Sequence, residues 1–233
     1  MYKYDLRYDR YWSHWIFNDE TSLFIGSEDG PVEVVKVQNL YFAYSKDISV
    51  FSGINFTAHP GEVVLLKGTS GRGKSTLASL IAGHLKPQSG SVEVDRKKIF
   101  SPSRDVIVVH QENDLFPWLS VKEHLLFLKE AGLETGTIDF DGYLQKFGLA
   151  NSKNLFPKEI SGGMKRRLAI LRGMLLKPKV LILDESLSSL DNKWKNDILS
   201  EVKSFTEKNN ILLILIDHNT ESIGHLISRV VEL

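Results

Sequence analysis

Short apolar runs alternate with helical patterns along most of the chain. Four runs are apolar at every position, without alternating polar residues: Val63–Leu66, Val106–Val109, Val180–Leu183 and Ile211–Ile216. Such runs are typical of strands covered on both faces, as in a parallel sheet. Shorter or less uniform strands are predicted at Val32–Val37, Ile54–Thr57, Ser91–Asp95 and Arg229–Leu233.

Between residues 112 and 176 the spacing of apolar residues becomes helical. Helices are predicted there at Val121–Lys129, Phe140–Phe147 and Met164–Leu176. Outside this stretch, one helix begins at Lys74 after a glycine-rich turn, and another is predicted at Asp191–Lys208. Strands alternating with helices predict the α/β class with a largely parallel sheet. The helical stretch is then an insertion between two strands of that sheet.

Composition narrows the class of protein only slightly. The chain has 233 residues, 42% of them hydrophobic and 25% charged, with a formal net charge of zero and no cysteine. Disulfides and thiolate chemistry are thereby excluded, and there is no overall electrostatic case for binding nucleic acid. The apolar runs fall far short of the roughly 20 residues that cross a bilayer, and no secretory signal is recognisable. We therefore expect a cytoplasmic protein.

The first 31 residues differ from the rest of the chain. Residues 1–30 contain eight of the 23 aromatic residues, and a turn-forming cluster follows at residues 27–31. We expect an N-terminal extension over residues 1–31 and a single main domain over residues 32–233. The extension either packs on that domain or acts as a docking arm for a partner, because aromatic residues suit both cores and interfaces.

The strongest local motif is Gly68-Thr69-Ser70-Gly71-Arg72-Gly73-Lys74-Ser75-Thr76, which lies between a predicted strand and a helix. It fits the pattern G-x-x-x-x-G-K-[ST]. The glycines allow backbone N–H groups to converge on phosphate oxygens, Lys74 supplies a positive charge, and the Ser75 hydroxyl can ligate Mg²⁺. The start of the helix adds its positive dipole end. The motif predicts a site for a nucleotide phosphate chain.

Two further motifs indicate a function only when they occur together with the phosphate-binding motif. The strand Val180–Leu183 ends in Asp184 and Glu185, where an aspartate can hold Mg²⁺ and a glutamate can orient or deprotonate water. Ser161-Gly162-Gly163 precedes a helix and can present N–H groups to an anion. Alone, the first could be a solvated loop and the second a helix cap.

In this order, the three motifs resemble the ATP-binding cassette (ABC) family over roughly residues 32–233. The resemblance assigns Tyr44 to stacking on adenine, although Tyr41 and Phe42 are close alternatives, and it assigns Gln111 to Mg²⁺ contact. Asp191 resembles the aspartate of the family's D-loop, and His218 resembles the histidine that contacts the γ-phosphate. It implies a P-loop NTPase core with a mostly parallel sheet, an N-terminal antiparallel β part and an inserted helical subdomain.

The resemblance also implies activity, cofactors and partners. The expected protein binds ATP and Mg²⁺, hydrolyses ATP with Glu185 and His218, and holds the metal through Ser75, Gln111 and Asp184. Because each motif occurs once, a second cassette must complete the site: a homodimer is predicted, with a heterodimer as the alternative. The main expectation is a transporter subunit bound through separate membrane subunits to the inner face of the cell membrane. A soluble ABC ATPase acting as an assembly scaffold or regulator is the alternative.

The stretch from Gln111 to Trp118 is similar to cassettes of nitrate, sulfonate and taurine importers. Phe116, Pro117 and Trp118 are expected either to receive a membrane partner or to pack inside the helical insertion. Two departures from the family pattern stand out. Met164 replaces a glutamine whose amide could bind near the nucleotide, and Ser186 stands where many members have proline, a change expected to be minor.

Overall fold

The structure is a computed structural model that describes residues 33–45, 48–110, 115–130, 138–188, 190–217 and 222–233, all within one compact unit. The predicted extension over residues 1–31 lies outside these ranges, as do Gln111 and His218. The described strands are β1 (Val35–Ser45), β2 (Ile48–Ala58), β3 (Val63–Lys67), β4 (Ser89–Val94), β5 (Lys97–Lys98), β6 (Val106–Val109), β7 (Val180–Asp184), β8 (Leu212–Ile216) and β9 (Arg229–Glu232). The described α-helices are α1 (Lys74–Ile81), α2 (Val121–Glu130), α3 (Phe140–Lys146), α4 (Gly162–Leu175) and α5 (Asn192–Lys208).

A parallel sheet with strand order β6-β7-β8-β3-β9 forms the centre of the fold. Along β3, Val63 and Leu65 enter the core shared with α4 and α5, whereas Val64 and Leu66 enter the core shared with α1. Successive side chains of a strand point to opposite faces, so a strand covered on both faces must be apolar throughout. This is the pattern on which the prediction rested, and the α/β class is confirmed.

The second sheet is antiparallel, with strand order β2-β1-β4-β5. Strands β1 and β2 are longer than predicted. The prediction missed part of both strands because β1 is shifted in register with each of its neighbours. Each shift breaks the alternation of buried and exposed residues that identifies a strand in sequence. The short strand β5 was also missed: the turn before it contains Asp95 and Arg96, whose φ angles are 50° and 64°. A two-residue hairpin turn with two positive φ angles usually contains glycine or asparagine.

The helical insertion lies between β6 and β7 and contains α2, α3 and α4, as predicted. Helix α4 packs back on the sheet, with Leu168 and Leu171 in the same core as Leu181 of β7. Across the parallel sheet, Leu66 of β3 and Asp184 of β7 both pair with Ile216 of β8. The carboxyl ends of three strands therefore meet at one edge, which is where ligands bind in open α/β sheets.

Candidate functional site

The phosphate loop runs from the end of β3 to the start of α1. Gly73, the last residue before the helix, has a φ of 90°, and a Cβ atom there would lie 2.5 Å from Val50 Cγ1 and 2.8 Å from Phe51 Cζ. Only glycine suits both the conformation and the space. Strand β2 therefore packs directly against the loop and fixes the position at which α1 begins.

The Lys74 side chain folds back beneath the loop. Its Nζ donates to the carbonyl oxygens of Gly68 at 2.8 Å and Thr69 at 3.1 Å, and the side chain is buried. No side chain in the described ranges caps the start of α1, so its first N–H groups stay available for an anion. The positive charge and the helix start thus meet in one concave loop.

The carboxyl end of β7 brings a carboxylate to this loop. Ser75 Oγ donates to Asp184 Oδ1 at 3.0 Å, although the two residues are far apart in sequence. Burial raises the pKa of Asp184, against the lowering effects of the Ser75 hydrogen bond and of nearby His110. A hydroxyl and a carboxylate at hydrogen-bonding distance are two hard oxygen ligands of the kind Mg²⁺ prefers. These two residues fit the predicted metal ligands, and the third, Gln111, lies outside the described residues.

Glu185 has an unusual backbone conformation, with a φ of 51°. Its N–H donates to the carbonyl of Ile216 at the end of β8 at 2.9 Å, and its own carbonyl accepts from Ser188 N at 3.2 Å and Ser188 Oγ at 2.7 Å. A positive φ is uncommon for a residue other than glycine and persists where the surroundings hold it. Strand β8 and the turn after Glu185 together hold the backbone of Glu185 directly after Asp184.

Ser186 has a structural role that sequence reasoning missed. Its hydroxyl is buried and donates its one hydrogen to the carbonyl of Val109, at the end of β6, with the carbonyl of Asp184 as a second, weaker acceptor at 3.3 Å. The serine therefore joins the ends of two neighbouring strands at the site, which a proline could not do. Nothing in the local sequence except its position after the acidic pair indicates this bond.

Tyr44 lies on β1 next to the phosphate-loop helix. Its side chain is 60% exposed, and its hydroxyl is 3.1 Å from Thr76 Oγ1. Phe42, which supports the Tyr44 ring edge-to-face at 5.0 Å, is itself buried in the core. The hydroxyl of Tyr41 would be 2.8 Å from a Cβ atom at Gly53, so its ring covers β2 instead. Of the three aromatic residues, Tyr44 combines an exposed ring with a contact to the loop helix.

Helix α4 begins at an exposed serine–glycine segment. Ser161 caps the helix by accepting from Met164 N–H at 3.2 Å. A Cβ atom at Gly162 would meet no described atom within 4 Å, and one at Gly163 would come no closer than 3.8 Å, to Leu190. Packing among the described residues therefore does not require either glycine. The Met164 side chain is partly buried against the main core, which gives it a packing role.

Arg166 and His110 connect helix α4 with the acidic strand end. Arg166 Nη1 donates to the carbonyl of His110 at 2.8 Å, and His110 Nδ1 lies 4.0 Å from Asp184 Oδ2. The helix that starts at Ser161 thus touches the segment directly before Gln111. Sequence reasoning did not find this connection, because arginine and histidine occur commonly outside functional sites.

Asp191 is the cap of α5, since its side chain accepts from Trp194 N–H at 2.9 Å. Arg167 of α4 lies over the Trp194 ring, 3.9 Å from its centroid, and also donates to the carbonyl of Phe147 at 2.6 Å. These contacts hold the starts of α4 and α5 together with the end of α3. The structure therefore places Asp191 close to the Ser161 segment, while its capping bond is also the one expected of an ordinary helix start.

An aromatic cluster lies at the start of the helical insertion, around Phe116. Phe116 stacks on His124 at 5.9 Å and contacts Phe127 at 5.4 Å, whereas Trp118 is 57% exposed. Phe116 therefore packs inside the helical insertion, which is one of the two roles expected from sequence, whereas Pro117 and Trp118 are exposed. His124 is fully buried, with Nε2 accepting from Phe116 N–H at 2.9 Å and Nδ1 donating to the Ser120 carbonyl at 2.8 Å.

His124 is expected to make stability depend on pH. Burial lowers its pKa from 6.5 to about 4, so between these values the unfolded chain binds a proton that the folded chain does not. Its contribution is present above pH 6.5 and is lost as the pH falls towards 4, by up to about 3 kcal/mol. Chemical denaturation at pH 7 and pH 5 should show a smaller pH effect in His124→Leu than in wild type. His225→Leu, which removes an exposed histidine, serves as the control. An unchanged pH effect in His124→Leu would refute the assignment.

The chain is similar to known proteins over most of its length. The family model described as ABC transporter matches residues 51–188, and the chain belongs to this family. The nitrate import ATP-binding protein NrtD of Synechocystis is 34% identical over 203 residues, covering 85% of this chain and 76% of that protein. The aliphatic sulfonates import ATP-binding protein SsuB of Bacillus anthracis is 32% identical over 203 residues, covering 86% and 80%.

One longer relative and two solved structures are also similar to the chain. The bicarbonate transport ATP-binding protein CmpC of Synechococcus elongatus is 34% identical, but the chain spans only 28% of its length. Among solved structures, CbiO1 of Clostridium perfringens, part of an ABC transporter complex, matches with a TM-score of 0.74 and 29% identity over 86% of this chain and 84% of that chain. The ADP conformation of another ABC cassette matches with a TM-score of 0.72 at 21% identity over 87% of each chain, which speaks for the fold. The α/β fold of an ABC cassette is thereby confirmed.

In the part of the chain that is described, no helix is long and apolar enough to span a membrane.

Proposed function

We propose that this chain binds and hydrolyses ATP to power an ABC membrane transporter through ATP-driven closure of a dimer. The observation that carries the proposal is the meeting of Lys74, the Ser75–Asp184 pair and Glu185 at one sheet edge, with bonds of 2.8 Å and 3.0 Å that hold the first two. Matches to ATP-binding subunits over most of the chain support the same function.

Nucleotide binding is assigned to the phosphate loop and to Tyr44. The N–H groups from Gly68 to Thr76 receive the phosphates, and Lys74 offsets their negative charge. The exposed Tyr44 ring offers a stacking surface beside the loop for the adenine. Ser75, Asp184 and Gln111 would hold Mg²⁺, which when bound would offset the negative charge that develops on the phosphate chain.

Hydrolysis is assigned to Glu185 with His218. Glu185 lies next to Asp184 and is fixed through Ile216 and Ser188, so its carboxylate can orient a water molecule and accept its proton. His218 follows the end of β8 by two residues and is assigned to the γ-phosphate through the family resemblance. Preorganised groups of this kind lower the barrier because they need no rearrangement during the reaction.

A second copy of the chain is proposed to complete the site. Ser161 and Gly162 are exposed at a helix start, and packing among the described residues explains neither Gly162 nor Gly163. Small residues there would allow close approach to ATP held by the phosphate loop of the other copy. ATP then favours the closed dimer through contacts with both copies, and hydrolysis removes that preference.

The membrane partners are proposed to be separate transporter subunits that hold the chain on the cytoplasmic face of the membrane. The relatives NrtD and SsuB are named as import proteins, which supports import as the direction. Trp118 of the aromatic cluster, which is 57% exposed, is proposed to contact such a partner, and the Phe116 ring supports it at a centroid distance of 5.5 Å.

Replacing Trp118 by alanine is expected to weaken docking without weakening catalysis. An exposed tryptophan that becomes buried in an interface is often worth 2 kcal/mol or more, so the partner recovered in a detergent pull-down should fall about tenfold or more. ATPase activity of the chain alone should stay unchanged, because Trp118 is an exposed residue outside the phosphate loop and the acidic strand end. Phe100→Ala, which removes a 68% exposed aromatic residue elsewhere, is the matched control.

The same pull-down tests the proposed function as a whole. A transporter subunit should bring down an integral membrane protein from detergent extracts, and the complex should hydrolyse ATP only with magnesium. Recovery of a purely soluble complex would instead favour the scaffold function. A complex that contains the membrane protein but lacks magnesium-dependent turnover would refute the assignment of the chain as its ATPase.

A further inference from the structure

A buried ion pair lies directly behind the site. Lys195 Nζ of α5 is 2.9 Å from Asp217 Oδ2, and the two side chains are only 4% and 2% exposed. Neither residue belongs to the phosphate loop, the serine–glycine segment or the acidic pair. Charges are rarely this deeply buried, because removing them from water costs more than their attraction usually returns.

The two residues connect two parts of the site. Lys195 lies one turn after Asp191, and its N–H donates to the Asp191 carbonyl at 2.9 Å in the first turn of α5. Asp217 directly follows Ile216, the residue whose carbonyl receives the Glu185 N–H at 2.9 Å. The ion pair therefore ties the start of α5 to the strand end that fixes the backbone of the proposed catalytic glutamate.

Packing alone does not explain the choice of residues. Elsewhere α5 contacts the core through apolar side chains, including Ile198, Leu199 and Val202, all fully buried. An apolar pair at positions 195 and 217 could fill similar space, and such replacements are often as stable as the ion pair. An ion pair differs in that it fixes the distance and direction between two defined atoms. That property matters where Glu185 must be placed accurately.

We propose that Lys195 and Asp217 are positioning residues for ATP hydrolysis, acting on Glu185 through Ile216 and on the Asp191 end of α5. The proposal rests on the proposed function of this site. In this arrangement, movement of the α5 start on dimer closure is passed to the end of β8 and from there to Glu185. Loss of the pair should slow the chemical step while leaving ATP binding intact, because the two residues belong to α5 and to the end of β8 rather than to the phosphate loop.

The test compares single and paired substitutions in the full chain. Lys195→Met alone should lower the unfolding temperature by about 10 °C, because it leaves a buried charge without its ion-pair partner. The double variant Lys195→Met/Asp217→Leu should regain most of that loss. Its kcat, measured well below the unfolding temperature, should nevertheless be about tenfold lower or more, with KM for ATP unchanged. A purely structural pair would not separate kcat from stability in this way.

The matched control removes another ion pair of the same helix. Lys146 Nζ and Glu201 Oε1 are 2.7 Å apart, away from the site, and the double variant Lys146→Met/Glu201→Leu should keep wild-type kcat. If the first double variant does not fold, the near-isosteric Asp217→Asn replaces it, with the same expected split between kcat and KM. Wild-type kcat in a folded variant lacking the Lys195–Asp217 pair would overturn the proposal. Absent turnover in wild type would instead refute the proposed function.

Discussion

Replacing Glu185 by glutamine is expected to reduce ATP turnover by about 100-fold or more while leaving ATP binding intact. Glutamine has nearly the same shape but cannot accept a proton from water, and loss of a general base typically costs a factor of 10² to 10⁴. The backbone contacts that hold position 185, through the carbonyl of Ile216 and the N–H and hydroxyl of Ser188, do not involve the carboxylate. The variant should therefore fold normally.

Steady-state phosphate release and calorimetric ATP titration, done on the same preparation, separate the two effects. Glu207→Gln is a suitable control, because it makes the same chemical change on α5, where Glu207 pairs with Lys203 at the surface. Normal turnover in Glu185→Gln would remove Glu185 from the catalytic role. A parallel loss of binding and turnover would place it in nucleotide binding instead.

The second large effect is expected from Lys74→Ala, which should weaken ATP binding by about 100-fold or more. The ammonium offsets phosphate charge, and two or more charge-assisted bonds account for that factor. It also donates to the carbonyl oxygens of Gly68 and Thr69, so its loss removes bonds that shape the loop. Binding and loop shape are thus affected together.

Isothermal titration with ATP and magnesium measures this loss directly. Lys67→Ala is the matched control, since Lys67 is an exposed lysine at the end of β3, beside the same loop. It should bind ATP within about twofold of wild type, as expected for a surface charge that makes no direct contact. Undiminished affinity in Lys74→Ala would contradict the phosphate-loop assignment.

The central sheet and the helical insertion were predictable because their signals are local. β3, β6, β7 and β8 are covered on both faces, so each is a continuous apolar run in sequence. The antiparallel sheet was less predictable, because the register shifts of β1 interrupt its alternation. The two positive φ angles at Asp95 and Arg96 likewise left no usual turn signal for β5.

Parts of the site were likewise predictable from the sequence, and other parts were not. The phosphate loop and the acidic pair are contiguous motifs whose residue types indicate phosphate binding, metal binding and proton transfer. They could therefore be found without a structure. The bonds of Ser186 to Val109 and of Arg166 to His110 join residues far apart in sequence. Nothing local marks them, because each partner is a backbone carbonyl that any residue could supply. Such supporting contacts depend on the folded arrangement of strands and helices.

The central claim is that ATP is enclosed between the phosphate loop of one copy and the Ser161 helix start of another. Light scattering of the Glu185→Gln chain with saturating ATP and magnesium tests this most directly. The account predicts twice the 26.4 kDa mass of one chain with ATP, and a single-chain mass with ADP or without nucleotide. A single-chain mass at an ATP concentration that fills the site would contradict it.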